Sequence, residues 1–167
     1  MVVGHIELRD LDDHDLDAVF EMTTDADAVA LAAFTADDPT DRAAFDAWIA
    51  RERASRSVAL HAVTDDGAFV GIAATFAVGD DREATVWIAH EAWGRGVATE
   101  ALRLLVAGEP ERPLFARLAA HDAAAIAAFE HNGFTEVSRS LQFAPGLGHE
   151  VEVEEIVFAL MPALDGA

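Results

Sequence analysis

The chain has 167 residues, 52% of them hydrophobic, no cysteine, and 31 acidic against 11 basic side chains, all of the latter arginine. That length suits one domain with a full core, read here as residues 1–167, and the missing cysteine excludes disulfides, Cys-ligated zinc and a cysteine acyl-enzyme. A formal net charge of −20 disfavours nucleic acid as a partner, because that binding needs a basic face. In chain order, Ile6 and Leu8 alternate in a first strand, and Asp12 or Asp13 caps a helix carrying Leu16, Val19 and Phe20. A loop region with Phe34 leads to a second helix after Pro39, with Phe45, Trp48 and Ile49 on one face. Val58 to Val63 reads as a strand, Asp66-Gly67 as a hairpin turn, and Phe69 to Phe76 as the returning strand. Gly79-Asp80-Asp81 turns again, into a strand from Glu83 to Ala89. A glycine turn and a helix follow, then a strand from Leu114 to Ala120 and a helix over residues 123–132 with Gly133 as its C-cap. Phe134 to Leu141 and Val151 to Leu160 close the chain as two strands. Hairpin-linked strands followed by strand–helix units specify a mixed α/β fold with helices on the faces of one sheet.

The segment with most chemistry is V-W-I-A-H-E-A-W-G-R-G-V-A-T-E-A-L-R-L-L, residues 86–105. A buried strand enters a turn with Gly94 and Gly96, and an amphipathic helix follows with Ala101, Leu102, Leu105 and Val106 on its apolar face. Strand, glycine turn and helix aim unpaired N–H groups and a helix dipole at a negative charge, so this is a candidate pyrophosphate cradle. It is neither G-x-x-x-x-G-K-[ST], since the chain has no lysine, nor G-x-G-x-x-G, since position 99 is Thr99. The seven histidines show no metal-ligand spacing, and no metal site is expected.

The frame W-G-R-G-V-A, Trp93 to Ala98, resembles the acetyl-CoA loop of the GNAT superfamily of N-acetyltransferases, and W-G-x-G-x-A-T-E-A-L is similar to its ribosomal-protein N-terminal (RimJ/RimL-type) subgroup. Trp93 stands where the superfamily usually has Gln or Arg. A second match lies in residues 113–134, where Asp122, Ala125 and Ile126 take the places of N-x-x-[SA]-[IV] and Gly133-Phe134 closes the helix. The resemblance spans roughly residues 57–160. It implies a mixed, mostly antiparallel sheet of six to seven strands flanked by about four helices. The sheet would splay between its fourth and fifth strands, with a bulge helping to open the gap.

Acetyl-CoA as cosubstrate follows from the resemblance. Its pyrophosphate is expected on Gly94, Arg95, Gly96, Val97, Ala98 and Thr99. The pantetheine arm is expected on the strand backbone near Ile88 and Ala89, either of which offers an N–H for the thioester oxyanion, and on Asp122, Ala125 and Phe129. Transfer by direct attack needs no protein nucleophile, and orientation of two bound substrates supplies much of the acceleration. Many members use a tyrosine to protonate the leaving thiolate; this chain has none, and Ala128 and Phe129 occupy the nearest places. Glu83, where several members keep a glutamate, and His121, at the end of the strand beside the cleft, are the candidate bases, with His61 and Asp122 as rivals. Trp93 is expected under the loop and Trp87 in the core or cleft wall. Phe34 and Trp48 are candidates for the acceptor pocket or for helix packing, and the loop within Phe143–His149 is a candidate cover for it.

The expected function is acetyl transfer to a primary amine, of a peptide N-terminus or a small molecule. The alternatives are a non-catalytic acyl-CoA sensor on the same scaffold and an unrelated phosphate-binding α/β domain. With no signal-peptide pattern and no 18-residue apolar run, a cytoplasmic, non-membrane protein is expected, as monomer or homodimer. The acid-rich, lysine-free, alanine-rich composition suggests adaptation to high salt, which screens self-repulsion; the alternative is a GC-rich genome that simply encodes arginine and alanine.

Overall fold

The computed structural model describes residues 4–27, 40–144 and 151–163. Alternation of apolar and polar residues places Ile6–Asp10 (β1) on the sheet with Ile6 buried, and Asp12 starts the first helical segment. Asp12 accepts the His14 N–H at 2.8 Å while the Asp15 carboxylate takes the Asp12 N–H at 2.8 Å, a reciprocal cap that leads through a short 3-10 turn into Leu16–Thr24 (α1). Asp41 caps Arg42–Ala54 (α2) through the Ala44 N–H. Phe45 and Ile49 of α2 are buried and Trp48 packs partly against them, so Trp48 serves helix packing. Phe34 lies outside the described residues.

Two tight turns build the middle of the sheet. Asp66 and Gly67 have positive φ (49° and 86°), the two-residue turn whose twist suits a hairpin. Val58–Asp65 (β2) therefore returns as Ala68–Val78 (β3), and a second turn at Gly79 returns β3 as Asp81–Ile88 (β4). Val97–Gly108 (α3) leads to Leu114–Ala119 (β5), and Ala123–His131 (α4) follows it. Thr135–Phe143 (β6) and Glu152–Leu160 (β7) complete seven strands in the order β1-β2-β3-β4-β5-β7-β6. β7 thus inserts between β5 and the edge strand β6, antiparallel to both.

Among the described strands, the only parallel pair, β4 with β5, is also the shortest. It is held at Arg82–Leu114 and Glu83–Phe115 and nowhere beyond, so the two strands part as they run towards their C-terminal ends. The sheet is splayed where the family resemblance implied, without the expected bulge: the β3–β4 ladder keeps one register throughout, and the irregularities fall between Val63 and Thr64 and between Glu136 and Ser138. On one face, α3 and α4 pack Ala101, Leu102, Leu105 and Phe129 against Ala84, Ile88, Leu114, Ala116, Ile156 and Phe158. On the other, α1 and α2 pack Val19, Met22, Phe45 and Ile49 against Ala62, Ile72 and Ala89.

Candidate active site

The cradle begins with a feature that the sequence reading missed. β4 stops at Ile88, and a 3-10 turn over His90–Ala92 separates it from the glycines. Ala92 is buried, and the Trp93 indole N–H reaches back to the Ile88 carbonyl at 2.8 Å while stacking on His90 at 4.1 Å. Trp93 thus packs beneath the loop and clips it to the strand. Gly94 and Gly96 both have φ 77°, a conformation that side-chain-bearing residues rarely adopt.

Gly96 is the N-cap of α3, and no side chain caps that helix. α2 and α4, by contrast, close their N-termini with Asp41 and Asp122. The first intrahelical bond of α3 runs from the Glu100 N–H to the Gly96 carbonyl at 3.2 Å. The N–H groups of Gly96, Val97, Ala98 and Thr99 therefore precede the helical ladder, at the positive end of the helix dipole. Arg95 turns the other way. It meets Asp65 of β2 at 3.5 Å, on the side of β4 remote from the gap, and leaves its own Nε and Asp65 Oδ1 buried without hydrogen bonds.

Register decides which backbone groups of β4 line the gap. The Ala89 N–H donates to the Val70 carbonyl at 2.8 Å, so it is spent on β3 and offers nothing to an oxyanion. In an antiparallel ladder the direction of N–H and C=O alternates along the strand. Ile88 and Val86 therefore direct theirs towards β5. The Ile88 carbonyl is taken by Trp93, which leaves the Ile88 N–H and both backbone groups of Val86 facing the gap. Val86 was absent from the sequence expectations, because strand parity is invisible without the register.

Glu83 lies at the apex, where the β4–β5 pairing ends. Its side chain is 7% exposed and points to the face away from α3 and α4, where the Arg117 guanidinium of β5 donates to it at 3.1 Å. His121, exposed in the turn beyond the end of β5, is six residues along from Phe115, the partner of Glu83; about 13 Å of strand, from Phe115 to Ala119, and that turn separate the two candidate bases. Asp122 caps α4 through the Ala125 N–H at 3.2 Å; burial pushes its carboxyl above the usual range, against the pull of that hydrogen bond and of His121. His61 sits on β2 in a groove with Asp10, Glu52 and Arg53, with β3 between it and β4; burial lowers its pKa, against the opposing pull of Asp10. Phe129, at the nearest place to the superfamily's tyrosine, is 2% exposed and packs edge-on against Phe134 at 5.0 Å. Trp87 is partly buried against the core of α1 and α2. Asp25, Asp27 and His90 bring three ligand atoms within 4.8 Å of one another at the surface, a cluster that sequence spacing could not show. Of the loop after β6, residues 145–150 lie outside the described part.

Comparison with known proteins places this arrangement. Residues 5–135 match the acetyltransferase (GNAT) domain family. No curated protein sequence matches the chain. Among solved structures, the fold is similar to a ribosomal-protein-alanine N-acetyltransferase from Brucella melitensis (TM-score 0.77, 22% identity, 93% of this chain and 99% of that one). It is similar also to spermidine N-acetyltransferase from Vibrio cholerae, solved with CoA and spermine (TM-score 0.76, 15% identity, 92% and 95%). A third is yncA from Salmonella typhimurium, solved with its cofactor acetyl-CoA (TM-score 0.76, 20% identity, 97% and 96%). With the family match over most of its length, an uncapped helix behind a glycine turn and a sheet split beside it, the chain belongs to the GNAT acetyltransferase family.

Proposed function

We propose that this acetyl-CoA-dependent N-acetyltransferase passes the acetyl group directly to a primary amine, of a peptide N-terminus or a small molecule, at the apex of the β4–β5 gap. The uncapped N-terminus of α3 beside that gap carries the reading. The pyrophosphate sits on the N–H groups of residues 94–99, and the pantetheine arm follows the gap past Ile88 towards Val86. Asp122 and Ala125 flank the arm from the start of α4. The inward N–H groups of Ile88 and Val86 pair with the arm and with the thioester oxygen as its negative charge develops.

Glu83 takes the proton of the attacking amine, directly or through one water. Nitrogen attacks the thioester carbon, the C–S bond breaks, and the thiolate leaves as CoA. With no tyrosine in the chain and Phe129 packed in the core, no protein acid is assigned to that departure. His121 is set aside as the base, since it lies at the open rim. Among the described residues, Glu83 and Glu155, 7% and 12% exposed, share Arg117 as their ion-pair partner; two carboxylates on one guanidinium leave this cluster one positive charge short, which suits an acceptor that arrives as an ammonium ion. We read the setting as a cytoplasm of high ionic strength. None of the described helices is long and apolar enough to cross a membrane.

Release of free thiol from acetyl-CoA, measured against a panel of peptide and small-molecule amines, tests the function. Amine-dependent release is expected, and mass spectrometry during turnover should show only unmodified chain. Tight acetyl-CoA binding with no thiol release for any amine would favour the non-catalytic sensor. An acetylated Ser138, Ser140 or other hydroxyl would overturn direct transfer.

A further inference from the structure

β4 loses its β5 partner beyond Glu83, so a base there stands on the last residue of β4 that pairs with both neighbouring strands, Phe76 on one side and Phe115 on the other. One side chain bridges the parting strands. Arg117 of β5 reaches Glu83 Oε2 of β4 through Nε at 3.1 Å and Glu155 Oε1 of β7 through Nη1 at 3.4 Å. All three project from the face opposite α3 and α4, since their strand neighbours Ala84, Ala116 and Ile156 are buried under those helices. Among the described residues, Arg117 is the only ion-pair partner of Glu83. The guanidinium is shared, and both contacts are longer than the 2.6 Å of the Arg82–Glu109 pair. It is also half exposed, at 49%, while the carboxylates it joins are nearly buried.

We propose that Arg117 is a positioning residue for acetyl transfer: it holds the Glu83 carboxylate over the apex of the gap, and Glu155 holds Arg117 in turn. The inference rests on the reading of Glu83 as the base. A planar fork can hold two carboxylates on different strands at once, in fixed directions, whereas a lysine ammonium is a point charge on a flexible stem. Arg117 therefore does for β4 and β5, through side chains, what the backbone ladder no longer does. Glu155 acts only through Arg117 and touches neither substrate.

A double-mutant cycle tests this, with kcat, the KM of the acceptor, acetyl-CoA affinity and thermal melting measured for each variant. Arg117→Ala is expected to lower kcat about 10- to 100-fold with acetyl-CoA affinity within about twofold, and Glu83→Gln to lower it by at least as much. If Arg117 works through Glu83, Glu83→Gln/Arg117→Ala should be no slower than Glu83→Gln alone. Arg117→Lys should recover part of the rate, and Glu155→Gln should show a weaker copy of the Arg117→Ala loss. Multiplying losses in the double variant, or an unchanged kcat in Arg117→Ala, would overturn the proposal. So would a fall in rate that tracks melting temperature through both Arg117 variants. Wild-type turnover by Glu83→Gln would instead remove Glu83 as the base, a separate failure that the cycle reads directly.

Discussion

At the scale of single residues, two glycines carry the claims about the site. A Cβ on Gly71 would lie 2.4 Å from the Trp87 carbonyl oxygen and 3.0 Å from the Ile88 Cα, both backbone, on the strand that walls the gap. Gly71→Ala must therefore push β4 aside, and we expect about 1–3 kcal/mol of lost stability in denaturant melts. An unchanged midpoint would mean that β3 and β4 are not so closely apposed. Gly96→Glu would add a strained side chain and a like charge where we propose that the pyrophosphate sits, and is expected to weaken CoA at least about tenfold in calorimetry. Equal affinity would move the phosphates elsewhere. The turn itself was legible in the sequence, because so few residue types accept positive φ that two glycines between a strand and a helix announce it. The direction of the backbone on β4 was not. Ile88 and Ala89 look alike in the chain, and only the bond from Ala89 to Val70 separates the group facing the gap from the one already spent. Arg117 carried a weaker signal, as a lone charge in L-F-A-R-L-A, but its partner is 34 residues away and no local pattern joins them.

At the scale of elements, caps and ion pairs fasten the helices to the sheet. Arg82 at the start of β4 meets Glu109 after α3 at 2.6 Å, donates to Thr75, and also bonds the Ser57 carbonyl, with both charged side chains largely buried. Burial pushes the Glu109 carboxyl up, but hydrogen bonds from Arg82, the Glu111 N–H and Thr75 outweigh it and hold the pKa below its usual 4.5. The Arg9 guanidinium likewise lowers Asp15, whose side chain also closes the cap before α1. A carboxyl with a depressed folded pKa stabilises above its unfolded pKa, and that stabilisation is lost as pH falls through the folded value. Melting temperature should thus hold from pH 7 to about 5 and drop below about 4.5, and the deficit of Glu109→Gln against wild type should shrink over the same acid range. A deficit independent of pH would show that the Glu109 charge contributes nothing. Asp15→Ala should cost roughly 0.5–2 kcal/mol at neutral pH for the lost cap. Of these elements, a cap at Asp12 or Asp13 and the Asp66-Gly67 hairpin were read from the sequence, whereas the caps at Asp41 and Asp122 emerged only in the structure. The insertion of β7 between β5 and β6, and the end of the β4–β5 ladder at Glu83, depend on contacts far apart in the chain and left no local trace.

At the scale of the whole molecule, charge dominates. With 31 acidic residues against 11 arginines, most of the arginines already hold carboxylates, and the surplus acids lie largely on the surface. Such a coat repels itself at low ionic strength, and about 1 M salt shortens the Debye length to roughly 3 Å. Melting temperature and turnover should therefore rise together from low salt to about 1 M; a flat or falling melting temperature over that range would contradict the salt-adapted reading. Screening leaves short-range contacts at the apex of the gap in place, so catalysis there does not depend on the acidic coat. The central claim is that cofactor and base meet across the split sheet. A crystal structure with acetyl-CoA bound tests that most directly. The account predicts the pyrophosphate on the N–H groups of residues 94–99, the pantetheine arm between β4 and β5, and the acetyl carbonyl beside Val86 or Ile88, facing the Glu83 side of the gap. A pyrophosphate seated away from the turn, or a thioester outside the β4–β5 gap, would contradict it.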